Sequence, residues 1–269
     1  MADVRPRAPW HAKTVTFFAF LLLYVPLVVL VSYSFVGPAD SPTGERAWSL
    51  HWYEKAFSNH LVLEALQMSL WVGVWSMLGA TVLGTLAALA LQRTKFPGRD
   101  AFDALIHVPL IMPEIVLGLA LLIWFVLLKI TLGSFSIILA HITFSMSYVI
   151  ITVKARLEGF DRSLEEAARD LGATPLQTFF QVTLPLIWPG ILSGALMAFT
   201  LSFDDFLITF FTAGVGSDTL PLKIYSMIKF GVSPEINALS TVMLVATFAL
   251  VMVFFRPIGS SSDRAINPK

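Results

Sequence analysis

"GFDRSLEEAARDLGATPLQTFFQVTLPLIWPG", residues 159–190, carries more local folding information than any other stretch of the chain. Ser163 and Glu166 have the spacing of a capping box, which predicts a helix that starts at Ser163 and runs to Gly172, a residue that takes a left-handed conformation cheaply. Thr174 offers a second N-cap, and Pro175 follows at the first helical position, where its missing N–H costs nothing. The expected product is helix, tight glycine turn, helix. Ala167 and Ala168 keep one flank of this knob slim, while Glu165, Glu166, Arg169 and Asp170 keep it solvated. Two readings stay open on these residues alone. A partner closes around the knob, or an amphipathic helix merely links two membrane spans.

The flanking sequence makes those spans unavoidable. Of 269 residues, 56% are hydrophobic and only 13% charged, which points to the bilayer as solvent. A formal net charge of zero argues against a nucleic-acid binder held by phosphate contacts, and the absence of cysteine excludes disulfides, thiolate metal sites and cysteine nucleophiles. A helix needs roughly 20 apolar residues to cross about 30 Å of hydrocarbon. Six segments meet that test, near 14–36, 62–91, 103–128, 135–153, 187–211 and 237–255, with 159–186 as the one folded inner loop of a single transmembrane domain, 1–269. The first follows Arg5, Arg7 and Lys13, exceeds a signal-peptide core and lacks a small-x-small cleavage site, so it is expected to be retained. Gly73, Gly79 and Gly84 in the second permit close helix contacts.

Charge sets the expected orientation. With the N-terminus inside, the inner segments carry thirteen basic residues (Arg5, Arg7, Lys13, Arg93, Lys95, Arg99, Lys154, Arg156, Arg162, Arg169, Arg256, Arg264 and Lys269). The outer segments carry five, Arg46, Lys55, Lys129, Lys223 and Lys229. Both termini are therefore expected in the cytoplasm. The outer loop from Gly37 to Asn59 ends in Trp48, Trp52 and Tyr53, readable as an interfacial aromatic belt or as a docking or gating element. No internal repeat is evident, so fused inverted halves are not expected.

"LSFDDFLITFF", residues 201–211, sets two aspartates inside an apolar span. An ionised carboxylate at membrane depth costs about 2.5–3.5 kcal/mol on insertion scales, so Asp204 and Asp205 should face protein, water or a cation. Counted from Pro189 at 1.5 Å per residue, Asp204 lies roughly 22 Å up the span, in its outer half. Neighbouring helical residues point about 100° apart, so the two side chains cannot point the same way unless the helix breaks near Ser202, and one acid is expected to bind while the other orients. A third acid, Glu114 in "PLIMPEIVLG", is expected roughly 18 Å into the third span, where Pro109 and Pro113 free backbone carbonyls. No lysine or arginine lies in these two spans, and His107 is their only titratable base. A missing counter-charge invites a cationic guest. A linear polyamine fits, with its ammonium groups on the carboxylates and its methylene stem covered by Phe203, Phe206, Phe210 and Phe211. The structural alternative also stands: the aspartates cap a broken helix or bind hydroxyls, and the phenylalanines face lipid or core.

The order Glu166, Ala167, Ala168, three residues, Gly172, nine residues, Val182, one residue, Leu184, Pro185 resembles the EAA loop of ABC importer permeases, with Val182 where isoleucine is usual. "FDRSLEEAARDLGATP", "LPLIWPGILSG", "AFTLSFDDF" and "TLPLKIYSMIKFGVSPEINALST" look like the polyamine branch of that family, with Phe160 and Phe203 at positions often leucine. The resemblance implies an all-α membrane protein of six transmembrane helices with the type I ABC importer permease (MetI-like) fold. It implies an ATPase-coupling element formed by Glu165, Glu166, Ala167, Ala168, Arg169 and Gly172. Carried over position by position, it places Trp52, Glu114, Ser202, Asp204 and Asp205 on the substrate path, Glu114 standing where the branch often has aspartate.

It further implies a second permease subunit, two cytoplasmic ATPase subunits, a periplasmic polyamine-binding protein and a bacterial inner-membrane location. The sequence contains no GxxxxGK[ST] phosphate loop, so no cofactor is expected on this chain, and ATP with magnesium belongs to the partner ATPase. An importer for another small solute is the alternative. A membrane-embedded metalloenzyme using the three acids has no paired-ligand motif behind it, and a channel would not need the folded inner loop.

Overall fold

The computed structural model describes residues 10–38, 48–231 and 233–254, nearly all helical. The elements are α1 (Trp10–Ser34), α2 (His51–Ser58), α3 (His60–Arg93), α4 (Arg99–Ile111), α5 (Glu114–Leu127), α6 (Ser134–Glu158), α7 (Ser163–Asp170) and α8 (Pro175–Thr178). A π turn (Phe179–Thr183) then leads into α9 (Leu184–Asp204), followed by α10 (Leu207–Thr212), α11 (Leu220–Phe230) and α12 (Pro234–Phe254). Of the basic residues that set the expected orientation, Arg5, Arg7, Arg46, Arg256, Arg264 and Lys269 lie outside the described residues, as does 39–47 of the outer loop.

Among the described residues, five helical runs are long and apolar enough to cross a membrane: α1, α3, α6, Pro175–Asp204 and Pro234–Met252. The third expected span, 103–128, is not one straight helix. It is α4 and α5, bent by 112°. Proline explains where the bend falls. Pro113 disfavours helical geometry at the residue before it, and Met112 accordingly sits at φ −67°, ψ 136°. The fifth expected span, 187–211, also divides, at Asp205 and Phe206 between α9 and α10. The π turn falls just before Pro185, whose missing N–H leaves a helical carbonyl without its donor; there the Leu184 N–H reaches back five residues to Phe179.

The chain forms two compact units, Met1–His60 with Ile224–Ala246, and Leu61–Lys223 with Thr247–Lys269. In the first, the end of α1 is tied to α2. The Ser34 and Tyr53 hydroxyls lie 2.7 Å apart, the Ser49 N–H donates to the Phe35 carbonyl at 2.8 Å, and Val36 makes an isolated antiparallel bridge with Trp48. Buried Glu235 accepts from Asn59 at 3.4 Å and lies 3.7 Å from the Lys55 ammonium. Most of α1 is otherwise exposed.

In the second unit, α3, α6 and α9 share a core of Ala80, Ala88, Leu91, Val149, Ile150, Val153, Ile187, Ile191 and Ala198. Small residues set its spacing, as expected: a Cβ at Gly79 would collide with Ile142, and one at Gly84 would lie 2.8 Å from Val149. Because Val149 is fully buried, it has nowhere to yield. Gly84→Val is expected to destabilise the chain by about 1–3 kcal/mol through overpacking. A detergent unfolding midpoint equal to wild type would refute this contact. A second cluster joins Leu117, Leu121 and Phe125 of α5 to Ala140 and Phe144 of α6 and Ile208 of α10.

Candidate functional site

The break between α9 and α10 separates the two aspartates by role. Asp205, at φ −65° and ψ 130°, leaves helical geometry and turns its carboxylate onto the next helix. Its Oδ2 accepts the Thr209 N–H at 2.8 Å and the Thr209 hydroxyl at 2.8 Å, while Oδ1 accepts the Ile208 N–H at 3.3 Å. The fully buried His141 completes the arrangement, with Nε2 3.2 Å from Asp205 Oδ2 and 3.0 Å from Thr209 Oγ1, and Nδ1 2.6 Å from Ser202 Oγ. With hydrogen on Nε2, His141 donates to Asp205 and accepts from the Ser202 hydroxyl, so every member is satisfied. Asp205 and Ser202 therefore hold the helix break closed against α6.

His141 supplies Asp205 with a partner that the expectation of a missing counter-charge did not include. That expectation surveyed the acids' own spans, and His141 arrives from another. The signal was present in "LAHITFSMS", residues 139–147, because a histidine in an apolar span requires a partner.

Asp204, the last residue of α9, is exposed. Its partner among the described residues is the Thr247 hydroxyl, which donates to Oδ1 at 3.0 Å and approaches Oδ2 at 3.3 Å. No cationic side chain pairs with it among the described residues. Glu114 also differs from its expected setting within a continuous helix. It is the exposed first residue of α5, beside the 112° bend, where the N-terminal end of a helix favours a carboxylate. α5 packs directly on α10: a Cβ on Gly118 would meet Phe211 at 2.8 Å and the Leu207 carbonyl at 3.4 Å. The two broken spans thus meet beyond their breaks.

The phenylalanines divide similarly. Phe203 is buried and stacks on Phe199 at 5.9 Å, and Phe211 packs on Gly118, whereas Phe210 is exposed and tilts against Phe206 at 5.7 Å. Trp52 lies in the other unit, where its indole N–H donates to the Val36 carbonyl at 2.6 Å and the Lys55 ammonium stands 5.5 Å from its ring. Among the described residues, no three His, Asp or Glu side chains form a group able to hold a metal.

The inner loop folds as helix, turn, helix. At the end of α7, the Gly172 N–H donates to Arg169 at 2.9 Å and the Ala173 N–H to Ala168 at 3.0 Å, with Gly172 at φ +86°. This is a Schellman turn. Thr174 and Gln177 then form a reciprocal capping box, with Pro175 next. α7 starts at Ser163 as expected, but its cap departs from expectation. The Ser163 to Glu166 box does not form, because the Asp161 carboxylate accepts the Ser163 N–H at 2.9 Å instead. Hydrogen bonds from Ser163 hold the Asp161 carboxyl below its usual range, so this cap persists at neutral pH and is lost only as pH falls through that lowered value. Glu166, Ala167, Arg169, Asp170 and Gly172 are exposed, Ala168 is partly so, and Leu171 is 91% exposed. Glu165 instead turns inward to Arg93 and Thr183.

Membrane-length helices, two helical runs broken beside acidic residues and an exposed folded loop define a multi-pass helical membrane protein. Residues 80–267 match the family described as binding-protein-dependent transport system inner membrane component, and the chain belongs to that family. It is 42% identical to the putrescine transport system permease protein PotI of Escherichia coli K12 over 247 residues, 89% of this chain and 87% of that protein. It is 38% identical to the spermidine/putrescine transport system permease protein PotC of Haemophilus influenzae over 237 residues, 88% and 92% of the two chains. Among solved structures, a bacterial ABC transporter involved in import of the acidic polysaccharide alginate has the same fold. It matches with TM-score 0.72 and 18% identity, over 93% of this chain and 95% of that one.

Proposed function

We propose that this chain is a transmembrane permease subunit of an ATP-driven, binding-protein-dependent importer of polyamines, putrescine and/or spermidine, in a bacterial inner membrane. The observation that carries the reading is Asp204, a carboxylate at a helix break with a hydroxyl for a partner and no cation beside it among the described residues. Relatives at 38–42% identity whose names specify putrescine or spermidine transport favour the same guest. In this reading Asp204 receives one ammonium group, and Glu114 receives a second. Ser202 and Asp205 serve the path by fixing the break, and Trp52 offers an outer aromatic contact. A second, non-identical permease chain completes the path, and a periplasmic polyamine-binding protein delivers the substrate. Both termini lie in the cytoplasm, where two ATPase subunits bind ATP and magnesium.

ATPase closure moves the α7 to α8 element, and alternating access turns Asp204 from the outside to the inside. Glu166, Ala167, Arg169 and Gly172, all exposed, with the partly exposed Ala168 form the surface offered to the ATPase. Gly172→Val forces a branched side chain into a left-handed backbone at about 1–2 kcal/mol, and it is expected to leave ATP hydrolysis running while import falls. Normal coupling in that variant would refute the role of the turn.

The deciding experiment is uptake of labelled putrescine and spermidine, each competing with the other, in cells lacking other polyamine carriers. Uptake that persists without this chain, or that neither amine competes, overturns the proposal in favour of a related importer for another small solute.

A further inference from the structure

The two adjacent glutamates of the inner loop have opposite surroundings. Glu166 points to solvent, whereas the Glu165 side chain is only 13% exposed and its Oε1 takes both the Arg93 guanidinium and the Thr183 hydroxyl. Arg93 Nη2 also donates to Thr183 Oγ1 at 3.2 Å, closing a triangle among three elements. Arg93 is the last residue of α3, Glu165 belongs to α7, and Thr183 ends the π turn from which α9 continues. A parallel tie runs from Arg162 Nη2 to the Gln92 carbonyl at 3.2 Å.

Little else fastens α7. None of its residues is buried, and a cavity of about 310 Å³ lined by Arg93, Phe160, Arg162 and Glu165 lies alongside. Thr183, by contrast, is fully buried. Polar contacts therefore dominate the link between a lightly packed helix and a firmly packed one. The link also lands on a π turn, a widened helical turn of the kind often found at functional sites.

We propose that Glu165 is a positioning residue: it clamps the inner-loop helix α7 to the end of α3 and to the root of α9, and it is not part of the surface offered to the ATPase. This rests on the permease reading above and deepens it. Motion imposed on α7 is delivered at Thr183 to a helix that ends roughly 30 Å further on at Asp204, taking 1.5 Å per residue. Without the clamp, α7 moves while α9 lags.

The test uses the complete importer in proteoliposomes, comparing wild type with Glu165→Gln, Arg93→Glu, Thr183→Val and the double reversal Arg93→Glu/Glu165→Arg. The readout is ATP hydrolysed per labelled putrescine imported. Glu165→Gln and Arg93→Glu are expected to raise that ratio about tenfold, within the range of typical coupling energies, with the ATPase still copurifying. The double reversal is expected to restore most of the loss, since it rebuilds the pair with exchanged signs. A merely structural role would lower both rates together. A ratio unchanged in Glu165→Gln, or a double reversal no better than its parents, overturns the clamp. Loss of the ATPase in Glu165→Gln overturns it too, because Glu165 would then be a partner contact.

A second measurement separates this proposal from the choice of substrate. The chain has no cysteine, so cysteines introduced at Lys95 and Leu171 carry this subunit's only spin labels. Their distance distribution should broaden in Glu165→Gln and narrow again in the double reversal, whatever solute the importer carries. An unchanged distribution in Glu165→Gln overturns the clamp even if polyamine uptake stands.

Discussion

Asp204→Asn is expected to weaken polyamine uptake roughly thirty-fold, with the subunit still assembled. Truncating one member of a desolvated charge pair costs about 2–5 kcal/mol, and the exposed setting of Asp204 places it at the low end. Asparagine keeps the shape and can still accept the Thr247 hydroxyl, so the change removes charge and little else. Because Asp204 is exposed, folding stability should barely move. Uptake kinetics with labelled putrescine and a detergent unfolding curve on the same variant make the check. Wild-type uptake, or a large fall in the unfolding midpoint, would remove Asp204 from the path.

His141→Ala should do the reverse, acting first on stability. It deprives buried Asp205 and Ser202 of a shared partner and leaves a cavity between α6 and the helix break. Breaking a buried charged network by deleting one member costs about 3–5 kcal/mol, and the three donors remaining to Asp205 from Ile208 and Thr209 favour the lower figure. The expected result is a strongly lowered unfolding midpoint in detergent and a reduced amount of chain in the membrane. A variant as stable as wild type would mean that the network contributes nothing to holding the break.

The difference between these two substitutions follows the line along which the sequence was readable. The turn at Gly172 and the cap at Thr174 were legible because their partners lie within five residues, where side-chain chemistry alone selects the geometry. Even there Asp161 displaced the expected Ser163 cap, since several oxygen-bearing side chains competed for the first N–H groups. Hydropathy located the spans, and the condition attached to the adjacent aspartates, a helix broken near Ser202, was met at Asp205. Pro109 and Pro113 were legible as residues that free backbone carbonyls within one span, whereas the break at Met112 and its 112° angle were not, since the angle depends on how α5 packs on α10 through Gly118. His141 meets Ser202 and Asp205 across 61 and 64 residues, and Arg93 meets Glu165 across 72. Pairings of that range arise from helix packing, which no local pattern encodes.

Among the described residues, helix α1 has little such packing. From Trp10 to Val29 almost every side chain is exposed, and its ties to α2 are confined to its C-terminal end and the residues just beyond. Within this chain little therefore fixes the size of its side chains, while α6, locked around Val149 and His141, tolerates changes of neither size nor polarity. The two helices should accumulate substitutions at different rates across related genomes, the first answering to whatever surrounds it outside this chain and the second to its neighbours within it.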